Sequence, residues 1–288
     1  NSVDYIGRNA FSLCYNMTSL DLGMGVQAIA YAAFAECSSL QSLYIPASVT
    51  SIELYAFFAC SSLTSIEVDA DNWSYDSRYG CNAVISGMDN SLVIGCATST
   101  IPTDVSAIGT GAFSYCHNLT QITIPDNIQR IGSEAFYFCR SLQSVDLGAG
   151  VSYIGSYAFA GCNALTSVII PESVTEIGYY AFTSCQNVVM ESATPPTVDY
   201  STFKDDVRIQ VPCDALATYQ STEPWYNWMI LANNYQLTLD ATEGGYAQVI
   251  ESDCATNSVT IEAYPAERYV FTQWSDGNTD NPRTLTLT

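Results

Sequence analysis

Apolar residues recur with a period of 23 along the first two thirds of the chain. The repeated unit reads V-x-x-I-G-x-x-A-F-x-x-C-x-x-L-x-x-V-x-I-P, and residues 151–171 give an almost complete copy. Each unit opens on a β-branched residue, at Val3, Val26, Val49, Val105, Ile128, Val151 and Val174. A unit this short cannot bury its own apolar side chains, so its stability has to come from neighbouring units. The period therefore predicts a solenoid.

The segment L-x-x-V-x-I alternates apolar and polar positions, which is the pattern of a strand with one buried face. Two columns are predicted to point inward: Leu40, Leu63, Leu119, Leu142 and Leu165, and Ile45, Val68, Ile124, Leu147 and Ile170. Stacked copies of this strand would form a parallel sheet with about 4.8 Å between units. V-x-x-I-G predicts a second short strand on the opposite, convex side, and A-F-x-x-C predicts a turn or short helix that buries its Phe.

Seven of the eleven cysteines occupy one column of this repeat. They are Cys14, Cys37, Cys60, Cys116, Cys139, Cys162 and Cys185. Side chains in such a column run parallel, about 5 Å apart, whereas a disulfide needs two Cβ atoms that face each other at about 3.8 Å. We therefore expect a structural column of buried free thiols, since Cys packs as a small apolar residue.

One unit departs from the period, because Val49 and Val105 are 56 residues apart. An irregular 33-residue unit at about 69–101 accounts for the difference, and its two apolar runs around 84–85 and 92–94 predict a hairpin within the solenoid. Cys81 and Cys96 would lie opposite each other in that hairpin, and a bridge between them is the less favoured alternative. Neither Cys213 nor Cys254 can be assigned from sequence.

The repeat ends near residue 189, which makes 1–189 the predicted solenoid. An aromatic-rich stretch at 190–233 is predicted to cap its exposed end. Alternating strands with Gly-Gly and Asp-Gly turns then predict a small all-β module over 234–288, which stops before its last strand is paired.

The IGxxAFxxC signature closely resembles the BspA-like leucine-rich repeats of bacterial surface and secreted proteins. The resemblance covers about 1–190 and implies a β-rich leucine-rich repeat solenoid, displayed on a bacterial cell surface or secreted, with adhesion as the associated activity. The string Ala-x-Pro…Tyr-x-Phe-x-x-Trp-Ser-Asp-Gly in the module resembles divergent internalin-type B-repeats, although Arg268 stands where a Gly is common. Residue 1 falls two positions before the opening Val of a unit, so we expect further sequence upstream.

Composition narrows the range of partners. Twenty-nine Asp and Glu against eight Lys and Arg give a net charge of −21, which argues against nucleic acid and anionic membrane surfaces. No apolar run is long enough to span a bilayer, so no membrane insertion is expected. We expect an extracellular protein or glycan as the partner, and any partner bound electrostatically should present basic groups.

We expect no catalytic residue, metal or cofactor. The chain has one His, His117, and its position follows Cys116 in a column of mixed polar residues that is typical of a solvated loop. Four acids of the irregular unit, Asp69, Asp71, Asp76 and Asp89, lack the spacing of a calcium loop because Trp73 takes a ligand position. These side chains are expected to be solvated.

Four tyrosines are predicted to share one outer edge of adjacent units and form the candidate binding patch: Tyr153, Tyr157, Tyr179 and Tyr180. Exposed Tyr offers a large contact area at low entropic cost. The alternative is that these rings only cover the convex side. The exposed strand column, Asp21, Tyr44, Glu67, Thr123, Asp146 and Ile169, is a second candidate face.

Three classes of function remain after these arguments. We favour a monomeric, non-enzymatic binding protein that engages host proteins, glycans or other cells. The main alternative is a structural spacer that presents other domains and has no ligand of its own. An enzyme is the least favoured class, because no set of matched titrating groups is present.

Overall fold

A computed structural model describes residues 3–232, 239, 244–254, 256 and 258–286. It shows a β-solenoid followed by an antiparallel β-sheet, which confirms the predicted fold class. The strands are, in chain order, β1 (Tyr5–Ile6), β2 (Ala28–Ile29), β3 (Ser42–Ile45), β4 (Ser51–Ile52), β5 (Ser65–Val68), β6 (Tyr75–Asp76), β7 (Val84–Ser86), β8 (Ser91–Ile94), β9 (Ala107–Ile108), β10 (Gln121–Thr123), β11 (Arg130–Ile131), β12 (Ser144–Asp146), β13 (Tyr153–Ile154), β14 (Ser167–Ile170), β15 (Glu176–Ile177), β16 (Asn187–Met190), β17 (Arg208–Val211), β18 (Met229–Ala232), β19 (Gly245–Asp253), β20 (Ser258–Pro265) and β21 (Arg283–Thr286).

Helix is scarce in the described residues. The α-helix α1 spans Leu216–Ser221, and three 3₁₀ turns cover Arg78–Gly80, Cys213–Ala215 and Trp225–Asn227. No helix of the described part is long and apolar enough to cross a membrane.

The long strands stack in parallel with the register that the 23-residue period predicts. Ser42 pairs with Ser65, and Gln121 pairs with Ser144. Burial alternates along β3 and β5, and the two predicted inward columns are buried throughout. The short V-x-x-I-G strands form the second parallel stack, where Ile131 pairs with Ile154. Each coil therefore closes around one line of apolar side chains.

The A-F-x-x-C corners are turns rather than short helices. Every corner after the first buries its Phe, whereas Phe11 is 43% exposed, and consecutive rings lie nearly parallel at about the spacing of the units. The ring centroids are 5.2 Å apart for Phe11–Phe34, 5.1 Å for Phe34–Phe57, 5.1 Å for Phe113–Phe136, 5.0 Å for Phe136–Phe159 and 5.1 Å for Phe159–Phe182. We call this set the Phe column. Because the parallel sheets set the backbone spacing, they bring the rings of neighbouring regular units into stacking distance.

The Cys column is bonded to the Phe column through the backbone. The Sγ atoms of Cys37, Cys60, Cys139 and Cys162 lie 3.2, 3.3, 3.0 and 3.1 Å from the Phe carbonyl oxygen of the preceding unit. Each thiol thus donates a hydrogen bond to a corner carbonyl, which explains why Cys suits this position better than Ala. Burial raises the pKa of Cys116 and Cys185 to about 12, so both stay protonated at neutral pH. A protonated, buried thiol is a poor nucleophile.

The irregular unit contains the predicted hairpin, formed by the antiparallel strands β7 and β8. Cys81 and Cys96 are both buried free thiols, so the bridge between them does not form. Parallel pairing is interrupted on both sides of the solenoid at this unit and resumes on the convex side where β8 pairs with β9. Polar side chains pair with the strand edges that the interruption leaves. The Asn82 amide accepts from the Ile66 N–H at 2.6 Å and donates to the Thr64 carbonyl at 3.0 Å.

The predicted cap adds strands β17 and β18 to the parallel stack of long strands. The pairing offset shortens here, since Ser167 pairs with Asn187 and Asn187 with Arg208. Behind these strands, Tyr219, Trp225 and Trp228 pack as a buried aromatic cluster at the end of the core, joined to the Phe column through Phe203. Large rings therefore fill the coil end that a regular unit would leave open.

The C-terminal strands β19, β20 and β21 form an antiparallel sheet. Residues 233–238 and 240–243, which include the start of the predicted module, lie outside the described residues, as do 287–288. Strand β21 pairs with β20, so its described part already has a partner. A disulfide joins Cys213 to Cys254, and the Ser252 hydroxyl accepts from the Ala232 N–H at 2.6 Å. Both links hold the sheet to the end of the solenoid.

The state of the eleven cysteines predicts how many thiols react in solution. Denatured, unreduced protein should expose nine thiols to Ellman's reagent, and reduction should raise the count to eleven, because only Cys213 and Cys254 are bonded. Fewer than seven thiols in an undamaged sample would contradict the free-thiol column. In the native state we expect Cys14 to react first, since it alone among the free cysteines is only half-buried.

Asn82 provides a test of how the irregular unit holds the sheets. Asn82→Gly should lower the free energy of unfolding by about 2–4 kcal/mol, because it leaves the buried Ile66 N–H and the Thr64 carbonyl without their partner. Gly keeps the left-handed backbone that Asn82 adopts at φ 56°. Asn9→Gly is the matched control: Asn9 is also left-handed, at φ 54°, but its hydrogen bonds within the described part of the chain involve its backbone only. Urea unfolding of both variants measures the difference, and equal stabilities would refute the role of Asn82.

Candidate binding surface

The corners adopt left-handed backbone at up to two positions each, and aromatic side chains occupy five of these thirteen positions. The second residue after the I-G position is left-handed at Tyr55, Tyr157 and Tyr180, with φ of 60°, 59° and 55°. The second residue after the Phe is left-handed at Tyr115 and Phe138, with φ of 60° and 57°. Left-handed backbone at a bulky residue costs about 1–2 kcal/mol. These rings are therefore held where a Gly would be the unstrained choice.

The rings form a continuous line along the outer edge of the solenoid. We call this line the outer aromatic ridge; it consists of Tyr31, Tyr55, Phe58, Tyr115, Tyr137, Phe138, Tyr157 and Tyr180. The centroid separations along it are 5.7 Å for Tyr31–Tyr55, 5.1 Å for Tyr55–Phe58, 5.5 Å for Phe58–Tyr115, 5.3 Å for Tyr115–Phe138, 4.5 Å for Phe138–Tyr137, 6.4 Å for Tyr137–Tyr157 and 5.0 Å for Tyr157–Tyr180. Every neighbouring pair is in stacking or edge contact.

The ridge continues across the irregular unit, where the Phe column does not. Buried apolar residues form two clusters there, one with Phe57 and the other with Phe113. On the outside, the Phe58 and Tyr115 rings meet at 5.5 Å and 77°. The ridge thus presents one uninterrupted aromatic surface over two separate cores.

Of the four tyrosines in the predicted patch, the structure brings Tyr157 and Tyr180 together. Their rings stack at 5.0 Å and are 39% and 43% exposed. Tyr153 instead lies in strand β13 under the Arg130 guanidinium, 4.1 Å from its ring centroid. Tyr179 is exposed and makes no ring contact. The four residues are therefore neighbours in the same two units, but only two of them belong to the ridge.

Both basic and acidic side chains lie next to the rings of the ridge. Arg8 lies over Tyr31 at 4.9 Å and Arg140 over Phe138 at 5.1 Å. Burial, reinforced by Glu134, raises the pKa of Tyr55 to about 12, and burial also raises the pKa of Tyr115. The hydroxyls of Tyr55 and Tyr115 therefore remain neutral and can donate or accept hydrogen bonds at physiological pH.

The strand face is the other candidate surface, and it is more acidic. Its Tyr44 hydroxyl donates to the Asp69 carboxylate, while Ile169 is exposed as a single apolar residue. Toward the C-terminus this face and the antiparallel sheet enclose a polar groove of about 650 Å³, lined among others by Asn187, Arg208 and Tyr246. The Arg208 guanidinium donates to the Gln248 amide oxygen across it.

The remaining candidate groups have separate partners. The His117 Nδ1 lies 3.1 Å from the Phe138 carbonyl, whereas the Cys116 thiol lies 3.9 Å from the Gly95 carbonyl, so the two side chains do not pair. Within the irregular unit, Asp76 binds Arg78 at 2.6 Å. Over the described residues no cluster of three or more His, Cys, Asp or Glu is placed to hold a metal ion.

Sequence reasoning found part of the ridge and missed the rest, including Tyr31 and Phe58. A signal was present for the ridge residues with left-handed backbone, because Gly111 and Gly161 occupy the same two corner positions in other units, with φ of 69° and 74°. A position that holds Gly in one unit and a large aromatic in another indicates a left-handed backbone. This signal does not extend to Tyr31 and Phe58, because the left-handed residues that follow them in the chain are alanines.

Sequence similarity to a known family covers the coils of the solenoid and the start of its cap. The family model described as BspA type Leucine rich repeat region matches residues 1–82 and 95–207 in six copies, and it leaves out the hairpin and the C-terminal sheet. The resemblance of 234–288 to B-repeats therefore stays a prediction. No curated protein sequence matches the chain.

Two solved structures share the fold. The pneumococcal vaccine antigen PcpA superposes with a TM-score of 0.63 at 18% identity, over 81% of this chain and 66% of that one. A leucine rich cell surface protein of Faecalibacterium prausnitzii superposes with a TM-score of 0.51 at 22% identity, over 81% of this chain and 70% of that one. This chain thus spans about two thirds of the PcpA chain. The family match extends over more than half of the sequence and coincides with the coils of the solenoid, and the chain belongs to the BspA-type leucine-rich repeat family.

Proposed function

We propose that this protein is a non-enzymatic bacterial binding protein, displayed on the cell surface or secreted, that uses the outer aromatic ridge to engage a host protein, a glycan or another cell. Its family and the cell surface protein of similar fold support the location. The binding role rests on one observation, the unbroken line of eight aromatic rings from Tyr31 to Tyr180.

The ridge has the physical properties of a pre-organised binding surface. Each ring is fixed by its neighbours and by a corner of the solenoid, so binding immobilises few additional rotamers. Tyr also supplies both apolar area and a hydroxyl, which suits protein and sugar ligands alike. A surface that served only to cover the core would not need strained left-handed aromatics in so many units.

Charge limits the partner class. With a net charge of −21, the chain repels polyanions, so nucleic acids and anionic membranes are unfavourable partners. A partner with basic groups would be attracted over long distances, and a neutral glycan would be tolerated. Exposed rings such as Tyr157 and Tyr180 could stack on sugar rings or receive Lys and Arg side chains.

A structural spacer remains the second candidate. The Cys213–Cys254 disulfide favours it, because this bond ties the C-terminal sheet to the end of the solenoid. A spacer would transmit that fixed geometry and would need no ligand.

The two candidates differ in what wild-type protein captures. On arrays of glycans and extracellular matrix proteins we expect saturable binding by the wild type, with a loss of at least about tenfold in affinity for Tyr157→Ala/Tyr180→Ala, because central interface aromatics commonly contribute 2 kcal/mol or more. Alanine at all four tyrosines of the predicted patch, Tyr153, Tyr157, Tyr179 and Tyr180, should abolish capture of the ligand. Thermal melts verify that each variant is folded.

Tyr44→Ala is the matched control, because Tyr44 is as exposed as Tyr180, at 43%, but lies on the strand face. Its affinity should match that of the wild type. If Tyr44→Ala lost binding while the ridge variant kept it, the strand face would be the binding surface. Absence of any capture by the wild type would favour the spacer.

A further inference from the structure

In the irregular unit a glycine, Gly95, occupies the position that the Phe column gives to Phe in regular units. The Gly95 N–H donates to the Ala112 carbonyl at 2.8 Å, the same bond that the Phe113 N–H makes to Ala135 at 2.7 Å in the next unit. The Cys116 thiol approaches the Gly95 carbonyl at 3.9 Å, where thiols of regular units meet a Phe carbonyl. Gly95 therefore takes the place of a Phe but contributes no ring.

The chain is too short here to form the usual corner. Leu92 pairs with Ile108, so these two residues are equivalent in the coil. A regular unit has four residues between this position and its Phe, whereas the irregular unit has two before Gly95. The A-F corner is thus absent, and the two core clusters are separated at this level.

A cavity of about 240 Å³ lies beside the missing ring. Phe57, Ala56 and Leu63 line one side, and Gly95, Ala112 and Cys116 line the other. A Cβ on Gly95 would lie 2.3 Å from the Phe113 ring, so Phe113 packs directly on Gly95 and the open volume lies toward Phe57. An engineered apolar cavity of about 150 Å³ is large enough to bind benzene.

The opening of the cavity is acidic and aromatic. Glu53 and Asp89 are among its lining residues, together with the Tyr55 and Phe58 rings, and none of its described lining residues is Lys, Arg or His. Partial burial acts to raise the pKa of Asp89, but hydrogen bonds from Ser86 and Ser91 outweigh it and lower the pKa, so this carboxylate is charged at neutral pH. Two carboxylates beside aromatic faces favour a cationic ligand group.

We propose that this cavity binds a small aromatic amine, with its ring beside Phe57 where the Phe column is interrupted and its ammonium group toward Glu53 and Asp89. The aromatic part packs against Phe57, on the side of the interruption that the Phe113 ring does not fill, and the ammonium pairs with the acidic opening.

The cavity shares Tyr55 and Phe58 with the outer aromatic ridge. Tyr157 and Tyr180, which test the proposed function, do not line it, so each proposal can be tested without the other.

Benzylamine is the probe, with benzyl alcohol and benzoate as the neutral and anionic analogues. Titrations of the full chain followed by ligand-observed NMR or calorimetry should show saturable binding of benzylamine. Benzyl alcohol should bind at least fivefold more weakly, and benzoate should not bind, because the carboxylates repel it.

Two variants at equivalent positions locate the site. Thr110 lines the cavity, and Ser133 occupies the same position of the next unit, since Ile108 pairs with Ile131. Thr110→Phe should weaken benzylamine binding at least tenfold by filling the cavity, whereas Ser133→Phe should stay within twofold of the wild type. Asp89→Asn, which keeps a hydrogen-bond acceptor for Ser91, should weaken benzylamine at least fivefold and leave benzyl alcohol unchanged.

The proposal is overturned by any of three results. These are the absence of saturable benzylamine binding, unchanged binding by both Thr110→Phe and Asp89→Asn, and binding of benzoate as tight as that of benzylamine. Asp89→Asn decides the question if Thr110→Phe does not fold.

Discussion

The structure depends on the constant distance between successive coils. Parallel pairing places equivalent residues of neighbouring units next to each other, as Ile131 and Ile154 show, and it repeats this placement at every regular unit. Rings brought to about 5 Å can stack, and a thiol brought beside the carbonyl of the unit before can donate to it. No single unit could form either contact alone.

The same spacing acts on the outside of the solenoid. Corners that bury a Phe turn through left-handed residues, and where these are aromatic their rings meet those of the next coil, as Tyr157 meets Tyr180. The inner Phe column stabilises the core. The outer aromatic ridge is its counterpart on the outside, half-buried along most of its length and exposed at Tyr157 and Tyr180. Backbone strain at the corners is offset in part by stacking between rings.

The irregular unit shows what happens when the period is broken. Both sheets lose their next strand, and side-chain groups of Asn82 and Tyr75 pair with the free backbone groups of Ile66 and Ile52. The core divides, Gly95 replaces a Phe, and a cavity opens. The outer ridge nevertheless continues through Phe58 and Tyr115, so the interruption changes the interior more than the surface.

The sequence alone determined everything that repeats: the period, the two inward strand columns, the buried Phe and the free thiols of the Cys column. It could do so because contacts in a solenoid join equivalent positions of neighbouring units, so spacing in sequence translates directly into spacing in space. Tertiary structure alone decided the contacts that join unlike positions. The Cys213–Cys254 disulfide depends on where the C-terminal sheet lies against the solenoid, and the equivalence of Gly95 with a Phe depends on a register that no residue similarity reveals. The ridge lies between these cases, because its residues lie in the repeated corners but the direction of five of its eight side chains is set by left-handed backbone.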